Sequence, residues 1–73
     1  MIKVKLFATL RNHLGKELDF AYRDGLTIQD VIDEIGLNPK KVSIMLINGV
    51  HQTPETLLKD HDKLYLFPPV GGG

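Results

Sequence analysis

The chain has 73 residues, of which 42% are hydrophobic, so it is the size of one small soluble domain with a thin core. Nine basic residues balance nine acidic ones, which argues against a nucleic-acid-binding protein and against a polybasic membrane anchor. There is no cysteine, so disulfides, thiolate metal sites and cysteine catalysis are excluded. Since no apolar run reaches the length of a membrane span or a secretory signal, we expect a cytoplasmic protein.

The first part of the chain predicts two paired strands. "IKVKLF" (2–7) alternates with period two, which places its three aliphatic residues on one face. "ELDFAY" (17–22) alternates as well. The short segment between them ends at Gly15 and is typical of a turn or a single helical turn. We therefore expect an antiparallel pair of strands.

The middle of the chain predicts the main helix. In "LTIQDVIDEIG" (26–36) the apolar residues recur with the spacing i, i+3, i+4 and i+7. Thr27 is a natural N-cap, and Asp30 three residues later completes an acidic variant of the capping box. Gly36 stands where a glycine commonly ends a helix. The sequence thus predicts a helix that begins after Thr27 and ends before Gly36.

The second half predicts a hairpin and a final strand. "VSIMLIN" (42–48) is nearly continuous in apolar residues, the pattern of a strand covered on most sides. The "NG" pair at 48–49 predicts a tight turn with a short return strand. "KLYLF" (63–67) is the last strand, which Pro68 and Pro69 stop.

The order of these elements predicts an α+β fold. A hairpin, one helix and further strands suggest a mixed sheet of about four to five strands packed on one main helix. This fits a β-grasp, or ubiquitin-like, domain over residues 1–67 with an extended tail over 68–73, although other small α+β sheets have similar periodicity. In the connection before the last strand, Leu57 and Leu58 are both expected in the core.

Two phenylalanines interrupt the alternation of polar and apolar residues. Phe7 is in register with the lysines of the first strand, and Phe67 is in register with Lys63 and Tyr65. Both rings are therefore predicted to face outward. They form either a hydrophobic docking patch beside the tail, or a pair that strand twist or the helix covers.

The folded body has no recognisable catalytic arrangement. His13, His51 and His61 are scattered over three segments without the spacing of metal ligands, so we interpret them as isolated surface histidines. Asp60 and Asp62 flank a turn and fit turn chemistry. No glycine-rich loop joins a strand to a helix, so no phosphate-binding loop is expected. We predict that this chain binds no metal and no cofactor of its own.

The C-terminal segment "PPVGGG" is the remaining functional candidate. Six residues at about 3.1–3.5 Å each could extend roughly 20 Å. The prolines favour an extended start, and glycines without side chains could enter a narrow tunnel in a partner and present a terminal carboxylate there. A carboxylate is a poor electrophile, so a partner enzyme would have to activate it.

Four stretches of the sequence resemble the MoaD/ThiS family of ubiquitin-like sulfur carriers, and the resemblance covers essentially the whole chain. They are "KVKLFATLRNHLG", "INGV", "LKDHDKLYLFPPV" and the terminal "GG", of which "LFATLR" and "FPPVGGG" are the most specific. The double proline is similar to the MoaD branch, the small subunit of molybdopterin synthase, because the ThiS branch generally lacks it.

The resemblance implies a defined chemistry. An E1-like adenylating enzyme (MoeB/ThiF type), using ATP and Mg²⁺, would adenylate the carboxylate of Gly73. Sulfur that originates from a sulfurtransferase would then displace AMP and leave a terminal thiocarboxylate. In the MoaD branch the tail inserts into a MoaE-type large subunit for molybdenum cofactor biosynthesis. The chain would thus not be catalytic alone, and would be a monomer when free, with no nucleic-acid or membrane partner.

The resemblance also assigns roles to individual residues. Gly73 would be the reacting residue, with partner binding by Phe7, Arg11, Phe67, Pro68, Pro69, Val70, Gly71 and Gly72. For Arg11, an ion pair with a partner and an intramolecular pair both remain possible. Gly71 stands where the family often has alanine, and His61 replaces the glycine usual in a "DGD" turn.

Three alternatives to molybdopterin synthesis remain open at this stage. One is a sulfur carrier for another pathway, such as thiamine thiazole, cysteine, tungsten-pterin or tRNA thiolation. Another is a ubiquitin-like protein modifier joined to lysines through the same glycine. A third is a plain interaction domain with an inert tail.

Overall fold

A computed structural model describes residues 1–69, except for the side chain of His13. The sheet contains five strands: β1 (Ile2–Leu6), β2 (Glu17–Phe20), β3 (Ile44–Ile47), β4 (Val50–His51) and β5 (Lys63–Phe67). The α-helices are α1 (Arg11–Leu14) and α2 (Ile28–Glu34), and short 3-10 turns cover Ala8–Leu10 and Pro39–Lys41. None of the helices in residues 1–69 could cross a bilayer, since α2, the longest, has seven residues.

The sheet is mixed, and its strand order is β2-β1-β5-β3-β4. The central strands β1 and β5 are parallel, whereas the other three neighbouring pairs are antiparallel. The connection from β2 to β3 contains α2, which packs on one face of the sheet. This is the β-grasp arrangement, so the predicted fold class is confirmed.

The main helix begins and ends where its capping residues predict. The Thr27 hydroxyl accepts a hydrogen bond from the Asp30 backbone N–H at 3.1 Å, and an Asp30 carboxylate oxygen accepts one from the Thr27 N–H at 3.0 Å. These bonds favour the charged carboxylate and hold the pKa of Asp30 below its ordinary value. Gly36, just past the helix, has φ of +85°, which glycine adopts without steric cost.

The core lies between α2 and the sheet. It consists mainly of alternate residues of β1 and β5 together with one side of the helix, and its most buried members are Ile2, Val4, Leu6, Leu26, Ile28, Val31, Ile32, Leu64 and Leu66. The alternation of the first and last strands therefore predicts the core side correctly.

The prediction that both leucines of the last connection are buried was wrong. Leu58 is in the core, but 62% of Leu57 is exposed. Leu57 forms an isolated antiparallel bridge with Thr27, and the Leu58 N–H donates to the Leu26 carbonyl. Because successive side chains of an extended segment point in opposite directions, burying Leu58 turns Leu57 outward.

A pair of polar side chains, Asn48 and Asp62, joins the β3–β4 turn to the start of β5. The side-chain Nδ2 of Asn48 donates to Oδ1 of Asp62 at 3.0 Å, and the side-chain Oδ1 of Asn48 accepts from the Lys63 backbone N–H at 3.0 Å. The second Asp62 oxygen accepts from the Lys59 N–H at 2.8 Å. His61 has φ of +73°, so the histidine does adopt the left-handed turn conformation. These bonds fix the start of β5, and with it the direction in which the strand leads to the tail.

Candidate partner-binding site

Three aromatic rings lie together on the sheet face opposite α2. The rings of Phe7 and Phe67 are stacked, with centroids 4.3 Å apart and planes 8° from parallel. Tyr65 is tilted against Phe7 with centroids 5.7 Å apart. All three side chains are half-buried. We call Phe7, Tyr65 and Phe67 the aromatic patch; both phenylalanines face outward, as the alternation predicts.

The pairing of the two central strands produces this stack. β1 and β5 run parallel with Leu6 opposite Leu66, so the residues that follow, Phe7 and Phe67, lie side by side. The Phe7 N–H donates to the Leu66 carbonyl at 3.2 Å. The patch therefore lies where β5 ends and the predicted tail begins, next to the half-buried Pro68 and the exposed Pro69.

β3 extends the apolar surface to one side of the patch. Ile44 is paired with Phe67 and Leu46 with Tyr65, and directly paired residues point to the same face of a sheet. Both aliphatic side chains are half-buried. The sequence interpretation missed them because it took β3 to be covered on most sides. The sequence does contain the information, since residues 44–47 are all apolar and some of them must therefore lie on the face away from the helix.

Two cationic side chains lie against the aromatic patch. The Arg11 guanidinium is 5.4 Å from the centre of the Phe7 ring, and the Lys5 ammonium is 5.7 Å from that of Tyr65. The Arg11 Nε donates to the Leu6 carbonyl at 2.8 Å. Within residues 1–69 Arg11 forms no ion pair. The hydrogen bond to the Leu6 carbonyl orients the guanidinium, and it uses Nε rather than the two terminal nitrogens, a pair that can bind both oxygens of a carboxylate.

On the β2 side of this sheet face, Lys3 is paired with carboxylates of the same chain. Lys3 lies 3.1 Å from a Glu17 carboxylate oxygen and 3.8 Å from one of Asp19. The hydrogen bond and the charge of Glu17, followed by the charge of Asp19, raise the pKa of Lys3. Over residues 1–69 Lys5 and Arg11 form no ion pair, although Glu17 lies opposite Lys5 in the register of β1 and β2, whereas Lys3 contacts two carboxylates.

The structure brings part of the predicted site together. Phe7, Arg11, Phe67 and the two prolines lie at one end of the sheet. The predicted sites Val70, Gly71, Gly72 and Gly73 lie outside the described residues, so their roles and the boundary between domain and tail stay predictions.

The histidines that invited a metal interpretation lie in separate parts of the fold. His51 is on β4 and His61 is in the turn before β5, and both are exposed. Over the described part of the chain, no three histidine or carboxylate side chains converge as a metal site.

A family model of the ThiS family matches residues 4–73. The chain belongs to the ThiS family. The match covers β1 from Val4 onward, the other four strands, the aromatic patch and the predicted tail, and it confirms the resemblance identified from the sequence. By sequence, the chain matches no curated protein.

Solved structures of similar proteins agree with this ThiS family membership. The putative molybdopterin converting factor, subunit 1, of Pyrococcus furiosus is 28% identical with a TM-score of 0.76, over 94% of this chain and 97% of that one. The HVO 2177 protein of Haloferax volcanii is 27% identical with a TM-score of 0.80, over 99% and 85% of the two chains. Small archaeal modifier protein 1 of the same organism, 22% identical with a TM-score of 0.76 over 94% and 97%, shares the fold.

Proposed function

We propose that this ThiS family chain is a sulfur carrier that presents the carboxylate of Gly73 to partner enzymes and receives sulfur there as a thiocarboxylate. The observation that carries the proposal is the position of the aromatic patch at the end of β5, directly before the tail. The family match, which continues to Gly73, supports it.

The proposed chemistry divides between the carrier and its partner. A carboxylate oxygen of Gly73 attacks the α-phosphorus of Mg²⁺-bound ATP on an E1-like enzyme, and pyrophosphate leaves. The outer sulfur of a sulfurtransferase persulfide then attacks the carbonyl carbon, and AMP leaves with the oxygen. A thiol cleaves the resulting acyl disulfide, which releases the thiocarboxylate and joins the two thiol sulfurs as a disulfide. The product has one C–S bond in place of one C–O bond. The carrier contributes binding and positioning, while the partner contributes the nucleotide site.

The aromatic patch is suited to hold the carrier while the tail reacts. Stacked half-buried rings offer a flat apolar surface at little entropic cost, the type of side chain that dominates binding energy in interfaces. Arg11 and Lys5 at its edge favour a partner with carboxylates around an apolar centre. Pro68 and Pro69 would start the tail in an extended conformation.

Among sulfur carriers, we propose that the chain is the small subunit of a molybdopterin synthase. The similarity to a protein described as a putative molybdopterin converting factor subunit supports this assignment, as does the "FPPV" segment before the glycines. A MoaE-type large subunit would bind the aromatic patch and receive the tail. The thiocarboxylate would then supply sulfur to cyclic pyranopterin monophosphate.

The test is reconstitution with a cognate MoaE-type subunit. The full chain is first charged by an E1-like enzyme with ATP and a sulfur source, and conversion of the cyclic pterin to its dithiolene product is then measured. We expect conversion with the charged chain and none with a variant lacking Gly73, although that variant should fold normally. A charged carrier that never converts the pterin would refute the molybdopterin assignment alone. Sulfur transfer by the deletion variant would refute the role of the terminal carboxylate.

Two other roles would use the same activated glycine. A carrier for another sulfur pathway would charge normally but deliver its sulfur to a different acceptor. A protein modifier would form lysine conjugates instead. The likeness to small archaeal modifier protein 1 does not favour the latter, because 22% identity shows a shared fold only.

A further inference from the structure

A concave surface that is separate from the aromatic patch lies between α1 and the end of α2. It encloses about 400 Å³. Its apolar part is formed by Leu10, Leu14, Ile35 and Leu37, of which Leu10 is buried and the others are half-buried. We call this surface the helix groove. The partial exposure of three aliphatic side chains means that a bound partner would remove further apolar area from water.

The helix groove lies near the end of the sheet at which β5 stops. One wall of the groove includes Leu10, whose N–H donates to the Phe7 carbonyl. The Phe7 N–H donates in turn to the Leu66 carbonyl in β5. The other wall includes Lys41, two residues before Ser43, whose N–H donates to the Phe67 carbonyl at 2.8 Å. Both walls are therefore connected to the last residues of β5, as is the aromatic patch.

The charge of the helix groove restricts what it can bind. Lys41 lines it, and the exposed Lys40 is the preceding residue. Asn12 and Asn38 supply polar groups to the rim, and none of the described residues that line the groove is acidic. An apolar floor with a cationic rim is complementary to an apolar side chain that lies beside a carboxylate.

We infer that the helix groove is a second contact for the protein that receives the tail, and that it binds a partner segment with one apolar side chain in the groove and a carboxylate against Lys41. This inference rests on the proposed function, because it requires a partner that takes up the tail. The aromatic patch alone would fix one point of the carrier. The helix groove lies on the α2 side of the sheet and the aromatic patch on the opposite face, both near the end of β5. Contacts on both surfaces would also fix the orientation of the carrier, and thus the direction in which the tail enters the partner.

Two variants of the full chain test the inference without touching the core. Lys41→Glu reverses the charge at the rim, and Asn12→Trp places a large ring at the groove from an exposed position. Lys59→Glu and Val50→Trp are the matched controls, because both residues are exposed and lie outside the groove. The two lysine variants change the net charge equally, so long-range electrostatic attraction is altered alike in both.

The measurement is binding by calorimetry to each of two purified probes, the cognate E1-like enzyme and the cognate MoaE-type subunit. For at least one probe we expect Lys41→Glu to weaken affinity about tenfold and Asn12→Trp about thirtyfold, with both controls within about twofold of the wild type. Thermal unfolding of each variant verifies that it is folded. This pattern supports the inference.

Three other outcomes have separate meanings. If the groove variants bind both probes like the wild type while Phe67→Ala binds weakly, the helix groove inference is wrong and the aromatic patch stands. If Phe67→Ala also binds like the wild type, docking through the patch is refuted as well. If the wild type self-associates in sedimentation and Asn12→Trp is monomeric, the occupant is a second copy of this chain, which overturns the inference.

Discussion

Truncation of Phe67 should separate the docking role of the aromatic patch from its contribution to folding. Phe67→Ala removes one ring of the stacked pair and leaves Phe7 with a free face. The substitution changes neither the buried Leu64 and Leu66 nor the hydrogen bond between the Phe67 carbonyl and Ser43. We therefore expect a folded protein that binds its partners poorly.

The size of both effects follows from the structure. Full burial of a phenylalanine contributes about 1.5–3 kcal/mol, so the half-buried Phe67 contributes roughly 1 kcal/mol. The aromatic pair adds about 1 kcal/mol. The loss of folding free energy should thus be about 2 kcal/mol. In the complex, truncation of a central aromatic anchor costs about 2 kcal/mol or more, which is a decrease in affinity of roughly thirtyfold.

A comparison with Phe20→Ala makes the test specific. Phe20 is also half-buried, but it packs against the core on the other face of the sheet. Its truncation should lower the free energy of unfolding in urea by about 1 kcal/mol, since no stacked ring among the described residues adds to its burial, and should leave partner affinity within about twofold. If both variants weaken binding equally, the loss reflects stability and the docking role of the aromatic patch is wrong.

Other substitutions test the elements that support this site. Thr27→Ala removes the helix cap and should lower stability by about 1 kcal/mol in urea denaturation. Hydrogen bonds to Thr27 depress the pKa of Asp30 below its ordinary value of 3.8, so the charged carboxylate of Asp30 stabilises the fold. This stabilisation is complete at pH values above 3.8 and is lost as the pH falls through the lowered pKa. Asp30→Asn should therefore be less stable than the wild type at neutral pH, and the difference in unfolding free energy between the two proteins should shrink in acid. A difference that is the same at both pH values would contradict this. Asn48→Gly keeps a left-handed turn possible but removes the side-chain bonds to Asp62 and to the following strand, which should cost about 2 kcal/mol and speed amide exchange in β5. Leu57→Ser should change the melting temperature little because the side chain is exposed; a large loss would mean that Leu57 is covered.

The main elements are predictable because local rules determine them. The capping residues Thr27 and Gly36 define the helix, and the alternation of β1 and β5 defines their core sides. Leu57 was mispredicted because its direction depends on a long-range bridge to Thr27, which no local pattern reveals. The outward position of Ile44 has the same cause, since it depends on pairing with β5.

The candidate site was predictable in its residues but not in its geometry. The faces of Phe7 and Phe67 follow from alternation, whereas their stacking requires the parallel register of β1 and β5. The contact of Arg11 with the Phe7 ring likewise depends on the turn that follows β1. The helix groove joins segments far apart in the chain, so its shape could come only from the tertiary structure.

The central claim is that Gly73 receives sulfur at its carboxylate, and intact-protein mass spectrometry tests it most directly. The purified chain is incubated with its cognate E1-like enzyme, ATP, Mg²⁺ and a sulfur donor. We predict an ATP-dependent species that is heavier by the difference between one sulfur and one oxygen atom, with fragmentation that assigns the change to Gly73. A chain that never gains this mass with the active cognate enzyme would contradict the sulfur-carrier function.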